Sequence, residues 1–199
     1  MTARVVLGVS GASGAMLAVE CARALARVGA AFDLTLSPMA ERTLALEIGP
    51  EAPAEIRAMA ARVHPIGDLG ASIASGSHPV AGMIVAPCSM RSLAAIAHGL
   101  DDNLLTRAAG VQLKERRPLV LIAREAPLTL AHLRNMTAVT EMGAIVLPPV
   151  PAFYLRPATL RDAAAQIAAR AVDLLRIARP AAQAWDPPRV KAELEGEAA

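Results

Sequence analysis

Five short apolar segments of this sequence each run into residues able to hold an anion or to move a proton. Residues 5–9 lead into Gly11, Ala12, Ser13 and Gly14, and a helical pattern follows at once. Bare backbone N–H groups and a hydroxyl at a helix start make an anion site, which the helix macrodipole favours further. The same glycines also suit a tight strand-to-helix turn that needs their dihedral freedom. Residues 32–36 end at Ser37, and residues 83–86 end at Pro87-Cys88-Ser89-Met90-Arg91-Ser92. There Ser89 and Ser92 can cap a helix while their hydroxyls face a ligand. Cys88 has no His or Asn visibly paired with it, so it reads as a small buried cysteine rather than a nucleophile.

Residues 119–123 are followed directly by Arg124-Glu125. A carboxylate at a strand's carboxyl end, beside a phosphate binder, is placed for proton transfer, although a solvated ion pair would look the same. Lys114, one of two lysines, is expected to converge with this pair at the sheet edge. Residues 144–147 lead into a proline-flanked loop that carries Phe153-Tyr154 and can present a phenol to a ligand. Arg170 stands among alanines in the last helical pattern, where it either meets an anion or snorkels to the surface. His64, His78, His98 and His132 show neither metal-ligand spacing nor a cysteine cluster, so no metal site is expected.

The elements that must position these residues follow from periodicity. Apolar strands over residues 5–9, 32–36, 63–66, 83–86, 119–123 and 144–147 alternate with helices over 15–28, 39–48, 54–62, 89–98, 102–114, 128–142 and 160–177. Pro50 and Pro53 are read as breaks, and residues 68–82 as a long loop of small residues. Strands without a polar side imply an α/β fold: a single-domain, Rossmann-like (flavodoxin-like) parallel sheet with helices on both faces. Such sheets bind ligands beyond their strands' carboxyl ends, where all five segments point. Residues 1–179 are taken as the domain and residues 180–199 as a proline-rich tail that covers the site or packs on a neighbouring subunit. A dinucleotide reader would carry Asp or Glu near Ser37, and Gly8, Gly11 and Gly14 depart from its glycine spacing. A mononucleotide with a terminal phosphate fits better.

Composition sets the outer limits. The chain has 199 residues, 54% hydrophobic, with 20 basic against 18 acidic side chains and a mean hydropathy of +0.40. A net charge of +2, with no basic run beyond Arg116-Arg117, argues against a nucleic-acid partner. No apolar run reaches the roughly 18–20 residues a membrane span needs, and no secretory leader pattern opens the chain, so a cytoplasmic protein is expected. Cys21 and Cys88 lie in unlike contexts, which disfavours a disulfide. Apolar surface in excess of one small core predicts burial between subunits of a homo-oligomer.

Together and in order, Gly11-Ala12-Ser13-Gly14-Ala15, Ala74-Ser75-Gly76-Ser77, Pro87-Cys88-Ser89-Met90, Asp102-Asn103-Leu104-Leu105, Leu113-Lys114-Glu115-Arg116-Arg117, Arg124-Glu125-Ala126-Pro127, His132-Leu133-Arg134-Asn135-Met136 and Pro151-Ala152-Phe153-Tyr154 resemble the UbiX family of flavin prenyltransferases. This family lies within the FMN-binding flavoproteins that include the cysteine decarboxylases. The resemblance implies that reduced FMN is bound as a substrate and receives a dimethylallyl group from dimethylallyl phosphate at N5 and C6, without metal. The product, prenylated FMN, would serve a UbiD-type decarboxylase, and the family's assembly would be a dodecamer. By the same resemblance Gly11, Ala12, Ser13, Ser37, Ser89, Met90, Arg91, Ser92 and Arg124 would contact FMN. Lys114, Arg124, Tyr154 and Arg170 would hold the prenyl phosphate, and Glu125, Glu47 and Ser13 would serve proton transfer. Gly110 stands where relatives commonly carry Asp, and the loop around Leu69 lacks a large aromatic, with Trp185 in the tail available to cover the site instead. Two rival readings are an FMN-dependent decarboxylase of the cysteine-decarboxylase type and a non-catalytic flavin carrier.

Overall fold

The computed structural model describes residues 2–186. Six parallel strands, β1 (Arg4–Val9), β2 (Ala31–Leu36), β3 (Arg62–Val63), β4 (Met83–Cys88), β5 (Leu119–Ala123) and β6 (Ile145–Val146), form one sheet in the order β3-β2-β1-β4-β5-β6. The helices are α1 (Ala15–Arg27), α2 (Pro38–Glu47), α3 (Ala52–Met59), α4 (Met90–Ala97), α5 (Leu104–Lys114), α6 (Leu130–Glu141) and α7 (Leu160–Leu174).

Both faces of the sheet are covered, which is why the strands read as unbroken apolar runs. Val5, Leu7 and Val9 of β1 join Phe32, Leu34, Ile84 and Ile122 in a core shared with α1 and α7. Val6, Met83, Val85, Leu119 and Leu121 face the opposite way, into a core shared with α4 and α5. α1 packs along α7 through Ala15, Ala18 and Ala22 against Ala164, Ala168 and Ala171, small side chains that let the two helices approach closely. A Cβ at Gly8 would lie 2.9 Å from the Met83 Cε and 3.1 Å from the Leu105 Cγ, so this glycine lets α5 settle directly on β1. Strand order reverses between β1 and β4, and the crevice beyond their carboxyl ends is where a ligand belongs.

Several boundaries differ from the sequence expectation. Pro53 does not break a helix; it lies in the first turn of α3, where its missing N–H has no partner to lose. β3 is two residues long at the sheet edge, and the loop after it holds a 3₁₀ turn, Ser72–Ala74. α6 starts at Leu130 because Thr129 caps it: the Thr129 hydroxyl accepts from the His132 amide while the His132 ring accepts from the Thr129 amide. Gly110 sits inside α5 with its would-be Cβ 3.1 Å from an Asp101 oxygen, so an acidic side chain there would meet a like charge. Cys21 and Cys88 are buried free thiols whose pKa is pushed up to about 12 by desolvation, first and foremost. A thiol held that high is not a nucleophile at neutral pH.

Two of the four histidines gather at the amino end of the sheet. Buried Asp33 accepts from Arg4 at 2.9 and 3.2 Å, His78 lies 3.3 Å from the same carboxylate and His64 3.5 Å from it. The tail turns back on α7 as far as it is described: Asp173 accepts from the amides of Ala181 and Ala182, and Gln166 exchanges bonds with Gln183. The tail's remainder, residues 187–199, lies outside the described residues. No helix among the described residues is long and apolar enough to cross a membrane.

Candidate active site

Among the described residues, clefts open along the carboxyl edge of the sheet, and most of the expected residues line three of them. The first, of about 440 Å³, is bounded by Ser10, Gly11, Ser37, Ser89, Arg91 and Ser92, with Asn103 and Leu105 on the far wall. Three helix N-termini meet there. Ser37 caps α2 by accepting from the Ala40 amide at 3.1 Å, Ser89 caps α4 by accepting from the Ser92 amide at 3.3 Å, and Asn103 caps α5 by accepting from the Thr106 amide at 3.1 Å. Converging N-termini hold negative charge well, and the Arg91 guanidinium, paired with Asp102, stands at the rim. These donors fit a phosphate-bearing ligand. Ser92 is a wall hydroxyl bonded by Ser89 rather than a cap of its own. Met90 packs its side chain against the core beneath α4 and does not line the cleft.

The glycine turn after β1 resolves into two roles. Gly14 is the left-handed residue, at φ 102°, that starts α1. Gly11 is needed for space: a Cβ there would lie 2.3 Å from the Met39 Cβ. The anion position at the N-terminus of α1, which the sequence suggests for a phosphate, is held by the chain itself. One oxygen of Glu47, the last residue of α2, accepts from the amides of Gly14 and Ala15, each at 2.8 Å. The helix N-termini that face the first cleft are instead those of α2, α4 and α5.

Glu47 shares a second cleft, of about 390 Å³, with Ser13, Arg124 and an apolar wall that includes Met16, Leu17, Pro149, Leu160 and Ile167. Partial desolvation pushes the Glu47 carboxyl up, but the Ala15 amide, the Ser13 hydroxyl, the Gly14 amide and the Arg124 charge together outweigh it and hold the group below the usual glutamate range. A depressed pKa in the fold means that its stabilisation is complete above the unfolded value of about 4.3 and is lost as pH falls through the lower, folded value. Accordingly, the stability gap between wild type and Glu47→Gln is expected to be constant from neutral pH down to about pH 5 and to close below that, in urea unfolding followed across pH. A gap that widened on acidification would contradict this assignment.

A third cleft, of about 380 Å³, holds Tyr154, Arg170 and Trp185, and shares Ile167 as a wall with the second. Tyr154 is presented by a 3₁₀ turn, Phe153–Leu155, and the Trp185 ring meets it edge-on at 4.9 Å and 79°. Arg170 faces this cleft from α7.

Glu125 and Lys114 stand apart from these walls. Glu125 is exposed, with one oxygen accepting from the Ala126 amide at 3.1 Å. Lys114 does not converge with Arg124-Glu125 within one chain. α5 runs back against the strand direction, so its last turn reaches the amino edge of the sheet, where Lys114 pairs with Glu115 beside Gly76. Ser10, not singled out from sequence, lies buried between the first cleft's two turns.

The flavoprotein family model matches residues 1–171. A flavin prenyltransferase UbiX of Neisseria meningitidis serogroup B is 51% identical, over 93% of this chain and 97% of that protein. The crystal structure of AnUbiX (PadA1) in complex with FMN and dimethylallyl pyrophosphate superposes with a TM-score of 0.88 at 44% identity, covering 94% of this chain and 98% of that one. A dodecameric FMN-dependent UbiX-like decarboxylase from Escherichia coli O157:H7 superposes with a TM-score of 0.87 at 41% identity, covering 92% and 99%. The chain belongs to the flavoprotein family, among its UbiX-type flavin prenyltransferases.

Proposed function

We propose that this protein transfers a dimethylallyl group from dimethylallyl phosphate to N5 and C6 of reduced FMN and delivers the prenylated FMN to a UbiD-type decarboxylase. The observation that carries the reading is the shared Ile167 wall, which joins an apolar cleft floored by Ser13, Glu47 and Arg124 to a pocket with a phenol and a second guanidinium. Reduced FMN, as substrate, supplies the two nucleophilic atoms and an electron-rich face. Everything else falls to the chain.

The anion-holding cleft formed by Gly11, Ser37, Ser89, Ser92 and Arg91 takes the FMN phosphate; Ala12 and Met90, next to Gly11 and Arg91 in the chain, complete the FMN contacts in this reading. Arg124, Tyr154 and Arg170 grip the phosphate of the donor. Cleavage of the allylic C–O bond leaves its electron pair on that phosphate, and fixed cations and a phenol stabilise the growing charge without having to reorganise. The apolar wall keeps water from the allylic carbon. Bond formation at N5 and C6 releases a proton at each atom; the prenyl alkene takes up one and the departing phosphate the other. Glu125, Glu47 and Ser13 handle this traffic, Glu47 as a carboxylate already ionised and fixed. Glu125→Gln is expected to leave FMN affinity within about twofold of wild type while slowing prenyl transfer by about 10²-fold. Equal losses in both would make Glu125 structural.

Lys114 reaches the donor phosphate only from a second copy of the chain. Surface chemistry supports such an assembly, a dodecamer in our reading. α6 buries only Val139 on its own chain; its Leu130 and Leu133, and Leu128 just before it, are 41–60% exposed, and Phe153 and Leu160 are more exposed still, at 76% and 85%. Leaving that much apolar side chain in water would be unfavourable. The reading is tested by reconstitution. An apo UbiD-type decarboxylase incubated with this protein, reduced FMN and dimethylallyl phosphate should gain activity, and a parallel reaction with the pyrophosphate compares the donors. Activation by an authentic UbiX control but not by this protein would overturn it.

A further inference from the structure

The turns after β1 and β4 are joined by a side chain the sequence does not mark. β1 and β4 pair in register through Gly8 and Val85, and the pairing stops there. β4 then goes irregular between Val85 and Cys88, and Pro87, next in line to bond β1, has no N–H to give. Ser10 fills that gap. Its amide donates to the Pro87 carbonyl at 3.3 Å, its hydroxyl donates to the same oxygen at 3.0 Å, and the same hydroxyl accepts from the Ser89 amide at 2.7 Å. The side chain is buried, 2% exposed, so water cannot replace either bond. On one side of it the Ala12 amide donates to the Ser10 carbonyl at 3.0 Å, fixing the turn that carries Gly11 and Ser13. On the other, Ser89 caps α4 and bonds the Ser92 hydroxyl at 3.2 Å.

We propose that Ser10 is a positioning residue: its hydroxyl clamps the turn after β1 to the turn after β4 and thereby sets the width of the cleft that takes the FMN phosphate. The inference rests on the flavin reading above and adds a residue to it. Thr keeps the hydroxyl, Ala removes it, and Cys keeps the volume but bonds weakly.

FMN affinity is measured first, by quenching of flavin fluorescence, and steady-state prenyl transfer second. Ser10→Ala is expected to weaken FMN binding about tenfold and to raise the KM for FMN in step, with kcat at saturating FMN within about threefold of wild type. The visible circular dichroism of fully bound FMN should change in Ser10→Ala and return in Ser10→Thr, whose affinity should lie within about twofold of wild type. If Ser10→Ala does not fold, Ser10→Cys stands in for it in the same comparison. FMN affinity and dichroism unchanged in Ser10→Ala would overturn the clamp, as would a Ser10→Thr variant as weak as Ser10→Ala. Wild-type protein that binds FMN but transfers no prenyl group would overturn the functional reading and leave the clamp standing. Wild-type protein that binds no FMN would overturn both.

Discussion

Replacing Gly11 by alanine is expected to lower FMN affinity by about 10- to 100-fold, the consequence of overpacking by about 1–3 kcal/mol at a site with no slack. The added Cβ would lie 2.3 Å from the Met39 Cβ and 3.3 Å from both the Cα and the carbonyl carbon of the same residue. Rotating a side chain cannot relieve a contact with Cβ and backbone, so the first turn of α2 has to move. That turn is held in place from behind, because the Ser37 amide donates to the Val9 carbonyl at 3.0 Å and the Ser37 hydroxyl caps the helix. A shift would therefore carry Ser37 out of the cleft it shares with Ser89 and Ser92. Titration of the variant with FMN checks this, with far-ultraviolet dichroism confirming the fold. Wild-type affinity would mean that Met39 yields without moving Ser37.

Arg124→Met should reduce kcat/KM for the prenyl donor by about 10²- to 10³-fold, the usual loss when one preorganised charge at a developing anion is removed. Methionine retains much of the aliphatic stem that lies beside Gly14, so the packing is largely kept and the guanidinium is what is lost. Two readouts separate this from a general loosening of the site. The Arg124 charge is one of the influences that lower the Glu47 pKa, so a carbon-13 titration of that carboxyl should move upward in the variant. The Gly14 and Ala15 amides still donate to Glu47, so the upward movement should be partial rather than complete. Unchanged kcat/KM for the donor would remove Arg124 from the phosphate site.

How much of this was legible in the sequence depended on whether a feature is local. Strand ends were legible, because strands buried on both faces are apolar throughout and stop where a glycine, serine or charged residue begins, as at Val9, Leu36 and Ala123. Glycines 11 and 14 read as one turn, but their separate duties, room for Met39 and a left-handed start for α1, need a neighbour from another element to be told apart. Only the family resemblance points to Glu47. Its role as the cap of α1 links residues 33 apart, and no local pattern announces a carboxylate at the end of one helix that serves the start of another.

Lys114 shows a different limit. Its chemistry groups it with Arg124-Glu125, yet a helix that returns to the amino edge of the sheet puts its last residue about 15 Å from its first, at a rise of about 1.5 Å per residue. Helix direction, rather than residue type, decides which end of the sheet a side chain serves. A serine in a glycine-rich run looks like turn chemistry, so nothing local marks Ser10. Its signal lay in Pro87, whose missing N–H matters only once β1 and β4 are known to be neighbours.

The central claim is that a prenyl group ends up on the flavin, and the most direct measurement is the mass of the flavin itself. Purified protein is incubated with reduced FMN and dimethylallyl phosphate, with no metal added, and the extracted flavin is examined by mass spectrometry. The account predicts a gain of one prenyl unit, dependent on the donor. FMN bound but unchanged in mass, with the phosphate and with the pyrophosphate alike, would contradict it.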